Sequence, residues 1–142
     1  MSRTPLGETR TTIRADHAIV ASDSYVVAPL FGWDNTSGVM LISPAMASSS
    51  GNGATRGPGF AQYLAMMDHG SITRCAPTGV QRCVYVIQGN VLLDDRQLDC
   101  GSFAYLPAGS SYVLSATSPA RLLVFEKSYV PLEGADSPER LI

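Results

Sequence analysis

Residues 74–91 read RCAPTGVQRCVYVIQGNV. The second half decides the fold: an apolar run at 83–87 enters a tight turn and leaves as another apolar run at 91–93. Gln88-Gly89-Asn90 supplies a glycine where a two-residue hairpin turn needs positive φ. The pattern is a β-hairpin, with no helical spacing in it.

The same cadence extends in both directions. Short apolar runs alternate with Gly, Pro, Asn, Asp and Ser clusters about every ten residues, the all-β signature. The expected strands are 18–20, 39–42, 61–67, 83–87, 91–93, 102–106, 112–115 and 121–126. Within GFAQYLAMMD (59–68) both parities are largely apolar, as for a strand covered on both faces. DDRQ (94–97) and PAGSS (107–111) read as turns, Pro107 closing its strand because it cannot donate to a ladder. Many short antiparallel strands joined by tight turns predict a jelly-roll or small barrel. The expected organisation is one domain: an arm at 1–17, a barrel at 18–128 and an exit segment or linker at 129–142. A Gly/Ser-rich stretch, SSSGNGATRGPG (48–59), reads as a flexible surface insertion. It lacks the GxxxxGK[ST] pattern and following helix of a phosphate-cradling loop.

Composition narrows the function classes. The chain has 142 residues, 45% hydrophobic and 15% charged, with a formal net charge of −2. There is no basic footprint for nucleic acid. No apolar run is long enough to span a membrane, and the first twenty residues lack a signal-peptide core, so a cytoplasmic location is expected. Cys75, Cys83 and Cys100 are odd in number and contain no CxxC pair, against both a disulfide framework and a zinc ribbon.

One class of small barrel, the cupin, binds a divalent metal through two motifs. His-x-His puts two imidazoles on one face of a strand; a Glu follows, and a hairpin Gly stands seven residues after it. In the second motif, Pro-x-Gly precedes a third His. Here the scaffold residues are present without the ligands. Counting back from Gly89 puts Arg82 at the Glu position. Cys75 and Pro77, or Ala76 and Thr78 in a shifted register, stand for the His pair. Gly101, Pro107 and Gly109 fit the second motif, with Tyr112 at its His position. Arginine has the wrong sign for a metal ligand, proline has no ligating side chain, and a phenol ligates weakly unless ionised. Cys75, Pro77, Arg82 and Tyr112 are therefore degenerate ligand positions, and no metal is expected in this chain. His17 and His69 lie elsewhere; a His69–Cys75–Cys83 zinc site is conceivable but no spacing favours it. There is no GxSxG elbow, and no Cys–His pair close enough in sequence to suggest a nucleophile and base.

Several segments together resemble the ureidoglycine aminohydrolases, two-cupin enzymes of allantoin breakdown. TRTTIRADHAIVASDSYVVAPLFGWDNTSGVMLISPAM is similar to that family's opening; FAQYLAMM and GVQRCVYVIQGNVLL are similar to the strand and hairpin that follow. GSFAYLPAGSSYVLSA and PARLLVFEKSYVPLEG are similar to its last strands and exit. The resemblance runs from about residue 9 to 134 and implies the N-terminal cupin half alone. It further implies a homo-oligomer or partner cupin domain, hydrolysis of (S)-ureidoglycine to (S)-ureidoglycolate and ammonia, and Mn²⁺ held by the second cupin, the first being a metal-free structural partner. Gln81 and Cys83 depart from the family's usual residues, and the 48–59 stretch is longer than its usual loop. Three functions stay open: the non-catalytic half of such an enzyme, a stand-alone cupin module for assembly or small-ligand binding, and an enzyme with a site rebuilt near Arg82 and Tyr112.

Overall fold

A computed structural model describes residues 10–14, 17–44 and 58–142. Its strands are β1 (Thr12–Ile13), β2 (Ala18–Ile19), β3 (Val27–Pro29), β4 (Asp34–Ile42), β5 (Ala61–Thr73), β6 (Val80–Gln88), β7 (Asn90–Leu93), β8 (Arg96–Asp99), β9 (Phe103–Leu106), β10 (Leu114–Ser115) and β11 (Ala120–Ser128). A single 3₁₀ turn, Ser22–Ser24, is the one helical element among the described residues, and none of their helices is long and apolar enough to cross a membrane. β1 and β2 form a small separate hairpin. The other nine strands form one sheet, every pairing antiparallel, in the order β8-β7-β10-β5-β11-β6-β9 with β4 and β3 branching from β5. It curls into a nearly closed jelly-roll barrel.

The barrel closes because strand parity sorts side chains. Val84 and Val86 of β6, Leu122 and Val124 of β11, and Ala65 of β5 are wholly buried inside, with Leu93, Leu106 and Leu114 filling the same core. Each such Val or Leu contributes roughly 1.5–3 kcal/mol relative to exposure. In β5 the Tyr63, Ala65, Met67 set faces the core, whereas Leu64 and Met66 are half-buried on the outer side. The inner face of this strand is fully covered and the outer one in part. At the β6–β7 hairpin Gly89 takes φ +75°, and a Cβ there would meet the Pro119 carbonyl oxygen at 2.6 Å. The glycine is required both by the turn and by the neighbouring chain.

Several elements differ from expectation. β5 continues through the His69-Gly70 pair to Thr73, and β4 starts at Asp34; bulges in their pairing, one beside Asn35 at φ 49°, absorb the irregular sequence. The turn expected over 94–97 is confined to Asp94 and Asp95, and Arg96 already begins β8, which brings Leu98 into the core. Only 114–115 of the expected 112–115 strand pairs. The apolar run at 121–126, one of the expected strands, is the middle of the sheet: β11 lies between β5 and β6. The 129–142 segment, read as a linker, returns to the barrel. Leu141 exchanges backbone hydrogen bonds with Tyr105 of β9, and Ile142 packs on the core. Arg140 pairs with Asp94 at 2.6 Å and donates to the Ser111 carbonyl. The Gly/Ser-rich stretch at 48–59 lies outside the described residues except for its last two.

Candidate functional site

β6 carries Arg82 inward at the position where alternation would place an apolar residue. It is 2% exposed, the largest fully buried side chain among the described residues. The β6–β11 register sets it opposite Glu126, a direct cross-strand pair. The guanidinium Nε donates to Glu126 Oε1 at 2.7 Å, and Nη2 forms an ion pair with the same oxygen at 2.6 Å. Nη1 donates to the Tyr112 hydroxyl at 2.7 Å and more distantly, at 3.4 Å, to Thr73 Oγ1. Tyr63 donates to the same Glu126 oxygen at 3.0 Å. The guanidinium carbon lies 4.9 Å from the Trp33 ring centroid, a cation–π contact. Trp33 in turn meets Tyr63 edge-on.

The electrostatics are those of a closed polar network. Burial works against the charge on Arg82, but Tyr63, Tyr112 and Glu126 around it outweigh that and hold its pKa above the ordinary arginine value. Burial pushes Tyr112 up to about 12, Arg82 only partly opposing it, and raises Tyr63 further. Both phenols stay protonated at neutral pH and act as hydrogen-bonding groups.

These residues do not fit a divalent metal. A fixed cation already fills the place, the one carboxylate beside it is committed to that cation, and the phenols are not ionised. Among the described residues no group of three or more His, Cys, Asp or Glu is placed to hold a metal. Of the four degenerate ligand positions, the structure brings Arg82 and Tyr112 together. Cys75 and Pro77 take no part in that hydrogen-bonded network: both are exposed, in the segment between β5 and β6, where they line a cleft that Arg82 also borders. Ala76 and Thr78 lie in that same segment. The residue facing Arg82 from β5 is Thr73. His69 is exposed near the middle of β5, contributing its carbonyl to Asn35, and His17 is exposed beside β2. Cys83 points to the outer face, half-buried, and burial raises its thiol pKa, which makes it a poorer nucleophile.

Spacing along the chain missed Glu126, Thr73, Trp33 and Tyr63. Their approach is set by strand pairing across long sequence separations. The one local signal was Glu126 itself, a carboxylate in an otherwise apolar strand.

Beside the network a cleft of about 280 Å³ opens, lined by Phe31, Ile72, Thr73, Arg74, Pro77 and Arg82 among others. On the barrel's outside the opposite parity of β11, β6 and β9 forms apolar cross-strand rows, Leu123–Tyr85–Phe103 and Phe125–Cys83–Tyr105. A groove of about 390 Å³ runs along this face between Phe60, Phe103, Phe125 and Lys127.

The chain is 37% identical over 133 residues to a probable (S)-ureidoglycine aminohydrolase of Oryza sativa subsp. japonica, covering 90% of this chain and 40% of that protein. It is 33% identical over 141 residues to the (S)-ureidoglycine aminohydrolase of Arabidopsis thaliana, covering 96% of this chain and 44% of that protein. The chain spans less than half the length of these relatives. Among solved structures, protein Ylba of E. coli matches with a TM-score of 0.74 at 22% identity, over 99% of this chain and 57% of that one. An RmlC-like cupin of Shewanella frigidimarina matches with 0.59 at 11% identity, over 85% and 96%. At such identities the likeness is one of fold, and the fold is the cupin barrel. No family model matches the chain.

Proposed function

Because this chain is a homologue of the (S)-ureidoglycine aminohydrolases over the length of one cupin barrel, we propose that it is a metal-free, non-catalytic barrel of an aminohydrolase-type protein, working in assembly in the cytoplasm. The family reaction, (S)-ureidoglycine and water to (S)-ureidoglycolate and ammonia, then belongs to a partner barrel that holds Mn²⁺. The observation that carries this reading is the Arg82–Glu126 pair, an internal cation with its counter-ion at the position of a metal-binding carboxylate. The apolar rows on β11, β6 and β9 support an assembly role, as the place where a second barrel packs.

The test is activity and metal content of the purified chain. We expect no ammonia from (S)-ureidoglycine, with or without added Mn²⁺, and no stoichiometric Mn²⁺ by calorimetry. Turnover in chelated buffer would instead favour a site rebuilt around Arg82 and Tyr112. Arg82→Glu restores one carboxylate but no imidazole, so it too should bind no Mn²⁺. Tight binding by that variant sinks the metal-free reading.

A further inference from the structure

The interior network leaves one guanidinium hydrogen unclaimed. Arginine carries five N–H donors. In Arg82, Nε donates to Glu126, Nη2 is held against the same carboxylate oxygen as an ion pair, and the Nη1 pair goes to Tyr112 and, at length, to Thr73. The second Nη2 hydrogen has no acceptor among the described residues. An unmade hydrogen bond on a group 2% exposed is costly, and such groups are satisfied when something else occupies the adjoining space.

The adjoining space is the cleft between Phe31, Thr73, Arg74, Pro77 and Arg82. Its walls are mainly apolar, with Asp34, Thr73, Arg74 and Arg82 among them, the usual make-up of a small-molecule site. At about 280 Å³ it suits a molecule of a few carbons or a single ring. Glu126 is not in its lining. The cleft therefore presents two guanidinium groups, Arg82 and Arg74, against Asp34 alone. The Arg74–Asp34 contact is long, 3.9 Å, between groups 65% and 76% exposed. Such a pair is worth little, so Arg74 is available to turn inward. Phe31 at the rim is fully exposed, a bare aromatic face with nothing stacked on it.

We propose that this cleft binds a small monocarboxylate with an apolar or aromatic body. One carboxylate oxygen accepts the spare N–H of Arg82, Arg74 closes on the other, and the body lies against Phe31 and Pro77. Charge-assisted bonds of this kind are about twice as strong as neutral ones. The site is separate from the assembly role above and stands or falls without it.

The experiment is a titration of the isotope-labelled full chain with sodium benzoate, followed by amide and arginine side-chain NMR, with benzamide as the neutral control. Expected are saturable shifts at the amides of 72–76 and at Arg82 Nε–H, with benzamide binding at least about tenfold more weakly. Arg74→Ala, which changes an exposed side chain and leaves the core intact, should weaken benzoate by about tenfold; Phe31→Ala should weaken both probes alike. Absence of saturable shifts at these positions, or saturation only elsewhere on the surface, overturns the site. Equal affinity for benzamide, or unchanged affinity in Arg74→Ala, overturns its assignment to carboxylates.

Discussion

Arg82 and Glu126 pose the sharpest energetic question at the scale of single residues. Each alone is a liability in the barrel: an unpaired buried charge costs several kcal/mol, while a well-packed apolar pair of similar volume is often no less stable. Arg82→Met strands Glu126 and the Tyr112 hydroxyl, and Glu126→Leu strands a nearly fully buried guanidinium. We expect losses of about 3–5 kcal/mol for Arg82→Met and for Glu126→Leu, the second discounted somewhat because Glu126 is 18% exposed. The double variant should lose less than the sum, which a double-mutant cycle by urea unfolding measures. Additivity would mean that the two groups do not act as a pair. The phenols give a pH test. Tyr112 titrates near 10 when unfolded and near 12 in the barrel. Its contribution is therefore fully present below pH 10 and is lost as pH rises towards 12, because the unfolded chain gives up its proton first. Stability should fall by about 1.4 kcal/mol per pH unit across that window for this group, and less steeply in Tyr112→Phe. Arg82 and Tyr112 were legible in the sequence because fixed offsets from Gly89 and Pro107 locate them. The partners were not, since Glu126 reaches Arg82 by strand register over 44 positions.

Element geometry explains which parts of the barrel could be read. The 80–93 hairpin was, because its glycine and its β-rich run agree on one answer. The outcome of changing that glycine follows: Gly89→Ala forces a left-handed φ on a residue with a Cβ and drives that Cβ into the Pro119 carbonyl. Left-handed backbone alone costs roughly 1–2 kcal/mol, so a loss of about 2–4 kcal/mol is expected once the contact is added, read as a lower urea midpoint with unchanged slope. A loss under about 1 kcal/mol would show that the turn relaxes freely. β8 escaped sequence reading because RQLD offers one core residue, Leu98, and only pairing with β7 makes it a strand. The 129–142 segment escaped for a related reason. Its attachments, Arg140 to Asp94 and Leu141 to Tyr105, are long-range and individually weak, and its composition resembles a linker.

For the whole molecule, the barrel's two surfaces divide its roles. Inside, the polar network closes on itself apart from one hydrogen; outside, an apolar face remains. β11 is central and its inward half is core, so it offers no free strand edge for association. The reason to expect association is the outward parity that β11 shares with β6 and β9. There Phe103, Tyr85 and Ile87 are each 40–44% exposed, standing in rows that no described residue covers fully. A flat cross-strand apolar surface of this kind marks a packing face. The isolated chain should therefore self-associate through it, with a mass by light scattering above that of one chain and rising with concentration. Phe103→Lys puts a charge on the β9 side of the face, beside the groove, at a site half open to solvent, so stability should change by no more than about 0.5 kcal/mol. Association should weaken sharply. Arg121→Ala, at an exposed position at the start of β11 and outside the groove, should leave it unchanged. If the parent chain stays a monomer at all concentrations, or if Phe103→Lys associates as the parent does, the face is not the one through which these barrels meet.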